Sequence, residues 1–151
     1  MSIRVELIAF CQASIEERIL TAQSAVTEAR TSSATETKSS AGDKYETTRE
    51  MLQGVIEQHT HQLMEAKKLK ETLQMIVDGE TSPGKVGAGS VVLSSGGNFF
   101  LSVPGGFTEI DGAKYALISL SSPIGRLLVG KSKGDSVSFN GRDYKISKVI
   151  P

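Results

Sequence analysis

Two halves of different composition meet in this chain at the stretch DGETSPG, residues 78–84. Its aspartate, glycines, serine and proline are turn formers, so the stretch predicts a linker. Residues 1–80 hold three of the 15 glycines and none of the four prolines. A segment compatible with helices is therefore followed by a segment rich in turns. We predict two domains, residues 1–79 and residues 80–151.

Charge follows the same division. Residues 1–80 hold 13 acidic and 9 basic residues, a formal charge of −4, and residues 81–151 have a formal charge of +4. The total of zero argues against a protein that coats nucleic acid through bulk charge. The sequence shows no apolar run that could span a bilayer and no secretory signal, and its single cysteine excludes an internal disulfide. We expect a monomeric, cytoplasmic protein with no membrane partner.

Apolar residues recur at helical spacing in the first half, in two stripes. The first stripe comprises Ile8, Cys11, Ile15, Ile19, Ala22, Val26 and Ala29. The second comprises Leu52, Val55, His59, Leu63, Ala66, Leu69, Leu73 and Ile76. Each stripe is narrow and flanked by charges, so the two predict an antiparallel helical hairpin, or coiled coil. We expect the chain to reverse within residues 31–42, because their serines and threonines compete with helical backbone hydrogen bonds.

Three residues of this half could suggest chemistry. His59 and His61 are two apart, so on a helix they face different ways and cannot bind one metal ion together. We expect His59 to be packed on its stripe and His61 to be exposed. Cys11 lies on the first stripe and is interpreted as a small core residue.

The second half predicts strands and one short helix. Three hairpin turns are indicated, at Ser95-Gly96-Gly97-Asn98, Asp111-Gly112 and Asn140-Gly141. Residues 122–130, SPIGRLLVG, have Ser at the cap, Pro in the first turn and Gly at the end, which is typical of a short helix. We therefore expect an α+β protein: an antiparallel helical hairpin, then a small antiparallel sheet domain with one short helix.

The glycine-rich stretch GKVGAGS, residues 84–90, could suggest a phosphate-binding loop. It lacks the Gly-Lys-Ser/Thr ending of such loops and precedes a predicted strand rather than a helix. We interpret its glycines as turn residues.

The motif SPIGRLLVGK, residues 122–131, is followed by Gly134-Asp135 and Val137. This pattern resembles the signature of the C-terminal domain of the GreA/GreB transcript cleavage factors of bacterial RNA polymerase. Residues 40–50, SAGDKYETTRE, resemble the start of the family's second helix. A long helical hairpin followed by an FKBP-like sheet domain is also the family's order of elements. The sheet domain has few aromatic side chains, so we expect no FKBP-type isomerase activity.

The resemblance implies an accessory factor rather than an enzyme. Its sheet domain would dock on RNA polymerase, and its hairpin would enter the secondary channel and meet nascent RNA and DNA only within the elongation complex. It would have no cofactor of its own, and acidic side chains at the hairpin tip would help to hold Mg²⁺ in the polymerase active centre. The docking residues implied by the motif are Ser122, Pro123, Ile124, Gly125 and Arg126.

The tip of the hairpin departs from the family's pattern. Alignment on Tyr45 and Arg49 places Lys38 and Ala41 where the family has an Asp-x-x-Glu pair. Neither side chain can bind Mg²⁺, a hard cation that prefers oxygen ligands. Binding in the channel is therefore better supported than stimulation of RNA cleavage.

Two nearby acids, Glu36 and Asp43, could replace the missing pair if the tip loop is shifted. Asp43 has a structural alternative, because residues 40–43 fit a capping box and an acid in the first helical turn favours the helix dipole. Glu36 has the alternative of being a solvated loop residue. Two other functions stay open: a regulator that occupies the same channel without cleavage, and a coiled-coil adaptor unrelated to transcription.

Overall fold

The computed structural model of the protein describes residues 2–38, 42–81 and 83–151. Two long helices precede a sheet domain that contains one short helix, so the fold is α+β, with a helical hairpin and then a small sheet domain. The helices are α1 (Ile3–Lys38), α2 (Gly42–Asp78) and α3 (Pro123–Leu128). The strands are β1 (Val91–Ser94), β2 (Gly97–Ser102), β3 (Gly106–Ile110), β4 (Ala113–Ser119), β5 (Ser136–Phe139) and β6 (Arg142–Ile150).

The two apolar stripes face inwards. All seven residues of the first stripe, from Ile8 to Ala29, are buried. In the second stripe Ala66 and Leu73 are buried and the other members are half-buried. Incomplete burial is expected where a helix has one partner helix, because a single neighbour covers only part of its surface.

The change from α1 to α2 falls within residues 31–42, as predicted, although most of that interval is helical. Helix α1 continues through residues 31–38, and what lies between the two helices, residues 39–41, is outside the described residues. Helix propensity is a weak preference that an established helix overrides. At Thr31 the hydroxyl donates to the Thr27 carbonyl at 2.9 Å, so the side chain bonds within the helix rather than ending it.

Three hairpins form where the turn residues predict them. In two of the turns Asp111 and Asn140 adopt a φ of 51°, and Gly112 and Gly141 follow with φ of 81° and 75°. Two consecutive residues with positive φ make the turn whose twist matches that of paired strands. The Asp-Gly and Asn-Gly pairs thus set the register of β3 with β4 and of β5 with β6.

The expectation of an antiparallel sheet is wrong at one position. The six strands lie in the order β3-β4-β2-β1-β6-β5, and β2 pairs with β4 in parallel. Because β3 takes the outer edge, β4 returns beside β2 in the same direction as β2. The sheet is therefore mixed. Hairpin signals report pairs that are adjacent in sequence and carry no information on such a crossover.

By packing, the chain separates into two compact units. One comprises Met1–Ser14 with Glu71–Pro151, and the other comprises Ile15–Lys70. The end of α2 at Asp78 lies next to the predicted domain boundary, whereas the first turns of α1 and the last turns of α2 belong to the unit that contains the sheet.

Contacts within the first unit join the helix ends to the sheet domain. The Arg4 guanidinium donates through Nε to the Gly89 carbonyl at 2.9 Å. Cys11 and Ser102 are both buried and adjacent, although their contact lacks the geometry of a full hydrogen bond. Burial raises the pKa of the Cys11 thiol, and the Ser102 hydroxyl lowers it by a smaller amount. Cys11 is therefore a core residue, as predicted.

The opposite face of the sheet packs against α3. Its core contains Val92, Leu101, Val137 and Ile146, together with two residues of α3, Ile124 and Leu128. Among the helices that the structure describes, none has both the length and the apolar content that a membrane span requires.

Candidate functional site

Helix α3 begins at a serine cap. The Ser122 hydroxyl accepts a hydrogen bond from the Gly125 N–H at 3.1 Å and donates one to the Ser119 carbonyl at 2.7 Å. Pro123 occupies the first helical position, where a missing N–H costs nothing. At the other end Gly130 adopts a φ of 84°, which stops the helix. These three residues account for the position and the length of α3.

Gly125 is required by close packing against the loop that precedes α3. A Cβ atom at this position would lie 2.2 Å from the Ser119 carbonyl oxygen and 3.1 Å from that of Leu120. Both of these are backbone atoms, which cannot move away as a side chain can, and the Ser122 Oγ of the helix cap would also lie only 2.8 Å away. The small residue in the motif is therefore explained by packing within the domain.

The remaining surface of α3 faces outwards. Leu127 and Val129 are 40% and 42% exposed, and Arg126, which immediately precedes Leu127 in the sequence, is also exposed. We call Arg126, Leu127 and Val129 the α3 surface. Exposed apolar side chains next to a cation are typical of a protein-binding surface.

The five predicted docking residues thus have different positions. Ser122 forms the cap, Ile124 and Gly125 are buried, and Pro123 and Arg126 are exposed. Only the last two have side chains that a partner protein could contact freely.

Two exposed residues of the α3 surface, Leu127 and Val129, are absent from the predicted docking set. The helical period does not predict their exposure. Leu127 lies three residues after the buried Ile124, a spacing that puts two residues on the same face of a helix, and Val129 is the C-cap that follows α3.

The predicted tip acids lie in helices rather than in a loop. Glu36 is in the last turn of α1, which corrects its expected loop position, and Asp43 is in the first turn of α2, where an acid favours the helix dipole. Their side chains lie outside the described residues, as does Ser40, the proposed cap. Among the residues that the structure describes, no group of three or more histidines, cysteines or acids could hold a metal ion.

The two histidines are separated as the helical period predicts. His59 is half-buried, and its Nδ1 lies 3.0 Å from the Gln62 amide oxygen. His61 is exposed, with Nε2 3.2 Å from the Glu65 carboxylate. Each ring has a neighbour on its own helix, as expected for packed or surface histidines.

The α3 surface and the two tip acids are therefore the candidate functional features of this chain. Comparison with known proteins adds no assignment: no family model, no curated protein and no solved structure matches the chain.

Proposed function

We propose that the protein is a GreA/GreB-like transcription elongation factor that binds RNA polymerase. The observation that supports this proposal best is the motif of residues 122–131, which forms a capped helix with Arg126, Leu127 and Val129 at its surface. Two helices of 36 and 37 residues precede the sheet domain, in the order that the family has. The sheet domain docks on the polymerase, and the helical hairpin enters the secondary channel.

The chain's own part in any RNA hydrolysis is to bring carboxylates to the polymerase active centre. Mg²⁺ in that centre supplies the chemistry, because paired metal ions hold the attacking and leaving oxygens of a phosphodiester. Asp43 and Glu36 are the acids nearest to the predicted tip. The protein alone is not an enzyme under this proposal, and it acts in the cytoplasm with the polymerase.

Binding to core RNA polymerase is the first test. Labelled wild-type protein is expected to bind, and Leu127→Asp is expected to weaken binding, because it places an unpaired charge at the centre of the interface. Met75→Asp is the control, since Met75 is exposed on α2 in the same compact unit. Absence of wild-type binding would favour the adaptor function, which predicts indifference to polymerase.

A regulator that occupies the channel without cleavage is the second candidate. The presence of Lys38 and Ala41 at the positions of the family's acidic pair favours it. An assay on backtracked elongation complexes separates the two functions, because a cleavage factor shortens the RNA. Shortening that is lost in Asp43→Ala or Glu36→Ala, and kept in the exposed-acid control Glu57→Ala, supports cleavage. Wild-type binding without any shortening supports the regulator.

A further inference from the structure

The glycine-rich stretch, residues 84–90, lies against the end of α3. The Val86 N–H donates to the Lys131 carbonyl at 2.9 Å, and the Gly130 N–H donates to the Val86 carbonyl at 2.8 Å. Val86 itself is buried in the core beside α3. These bonds hold Lys85, the residue before Val86, within about 10 Å of Lys131, given one residue step and one hydrogen-bonded spacing.

Four exposed cations surround this part of the sheet domain: Lys85, Arg126, Lys131 and Lys133. Within the described part of the chain, none of their side chains forms an ion pair or a hydrogen bond. Asp135 is the acid nearest to Lys133 in sequence, and its carboxylate accepts the Ser132 N–H at 2.8 Å. None of these four cations is therefore paired with a carboxylate in the part of the chain that the structure describes.

We propose that Lys85 is a docking residue, and that with Lys131 and Lys133 it forms a cationic rim around the α3 surface that binds an acidic protein surface. The inference rests on the proposed function, in which that protein is RNA polymerase. It adds to the docking site Lys85, a residue of the glycine-rich stretch that lies 41 positions before Arg126 in the sequence.

The composition of the surface favours a protein over a nucleic acid. Leu127 and Val129 are exposed apolar residues that lie between Arg126 and Lys131 in the sequence, and apolar residues bordered by charged ones are the usual arrangement of a protein interface. A phosphate backbone is polar and would not bury the apolar side chains of Leu127 and Val129. The α3 surface also has no aromatic side chain on which a base could stack. Unpaired rim charges increase the rate of association with an oppositely charged partner.

The test is Lys85→Glu in the full chain, titrated against core RNA polymerase at low and high salt. We expect roughly tenfold weaker binding at low salt, with the difference reduced at high salt because the rim charges are exposed to solvent. Lys85→Arg retains the charge and is expected to bind like the wild type. Lys131→Glu reverses a second charge of the same rim, next to the end of α3, and is expected to weaken binding by a similar factor.

Lys114→Glu is the matched control. It makes the same change in net charge, and Lys114 is an exposed lysine of the sheet domain, on β4 near the other edge of the sheet. Its ammonium lies 4.5 Å from the centre of the Phe107 ring. We expect this variant to bind polymerase as the wild type does, and circular dichroism establishes that each variant is folded.

The outcomes separate this inference from the function on which it rests. If the wild type fails to bind polymerase, both the cationic rim and the proposed function are wrong. If the wild type binds and both Lys85→Glu and Lys131→Glu bind equally well, the cationic rim is wrong and the proposed function stands. Titration with labelled single-stranded RNA is the further arm. If Lys85→Glu weakens RNA binding and leaves polymerase binding unchanged, the rim binds nucleic acid and the proposal is overturned.

Discussion

At Gly125 the absence of a side chain decides whether α3 can pack where it does. The carbonyl oxygen of Ser119 occupies the space that a methyl group would need. Ser122, three residues earlier, satisfies the Gly125 N–H and also bonds to Ser119. The serine at position 122 and the glycine at position 125 are therefore both explained by their contacts with the backbone of Ser119, without any partner protein.

Gly125→Ala is expected to destabilise the sheet domain by roughly 1–3 kcal/mol, the usual cost of overpacking a closed site. Gly54→Ala is the control, because Gly54 lies on α2 with nothing within 4 Å of the added Cβ. Alanine there is expected to raise the free energy of unfolding by about 1 kcal/mol, since it favours the helix. Urea unfolding measures both effects, and equal behaviour of the two variants would contradict the packing argument.

Ser122→Ala is expected to lower the free energy of unfolding by about 1 kcal/mol, because it removes the cap of α3. Ser121→Ala removes a neighbouring hydroxyl whose contact, with the Ser119 Oγ, is exposed and 3.3 Å long. Unfolding of Ser121→Ala should follow that of the wild type within experimental error. A Ser122→Ala variant as stable as Ser121→Ala would show that the cap contributes nothing.

At the scale of elements, pairing decides more than local propensity does. Helix α1 extends through a tract of serines and threonines, although both residue types have a low helix propensity. The pairing of α1 with α2 also includes one ion pair, between the Lys70 ammonium and the Glu16 carboxylate, at 2.6 Å. Both side chains are largely exposed, so apolar burial rather than charge is expected to stabilise the pair.

A double-mutant cycle with Glu16→Gln and Lys70→Met is expected to give a coupling energy of about 0.2–1 kcal/mol, typical of exposed ion pairs. The coupling should decrease in 1 M salt, about ten times the ionic strength at which the screening length is 10 Å. Thermal unfolding of the four proteins at both salt concentrations measures it. A coupling that is larger, or insensitive to salt, would mean that the pair is shielded from solvent.

At the scale of the whole molecule, the unit that contains the sheet includes the first turns of α1 and the last turns of α2. Two of its buried groups respond to alkali. Burial raises the pKa of Cys11. The pKa of Tyr115 is raised by burial and, to a smaller extent, by the carboxylates of Asp111 and Glu6. Glu6 belongs to α1 and Tyr115 to β4, so this electrostatic contact depends on the folded unit.

Stability is expected to fall as the pH rises above about 8.5, the ordinary pKa of a thiol, and to fall further above about 10. The folded chain keeps each proton to a higher pH than the unfolded chain does, so the unfolded chain binds fewer protons in these windows and unfolding becomes easier. In Cys11→Ala the fall that begins near pH 8.5 should disappear, and that above pH 10 should stay. Urea unfolding between pH 7 and 11 measures the slopes, and an unchanged slope in Cys11→Ala would exclude the thiol as its cause.

Part of the candidate site follows from sequence alone. The cap at Ser122, the proline at the first helical position and the ending at Gly130 are local features, so the bounds of α3 could be predicted. The need for glycine at position 125 could not be predicted, because it arises from the course of the preceding loop.

Sequence by itself determined the order of elements, the inward faces of both long helices and the three hairpin turns. These depend on side-chain period and on residues within a few positions of each other. Only the tertiary structure decided the parallel pairing of β2 with β4 and the contact of Val86 with Lys131. Both join segments separated by other elements, and their formation depends on how whole surfaces pack, which no local pattern records.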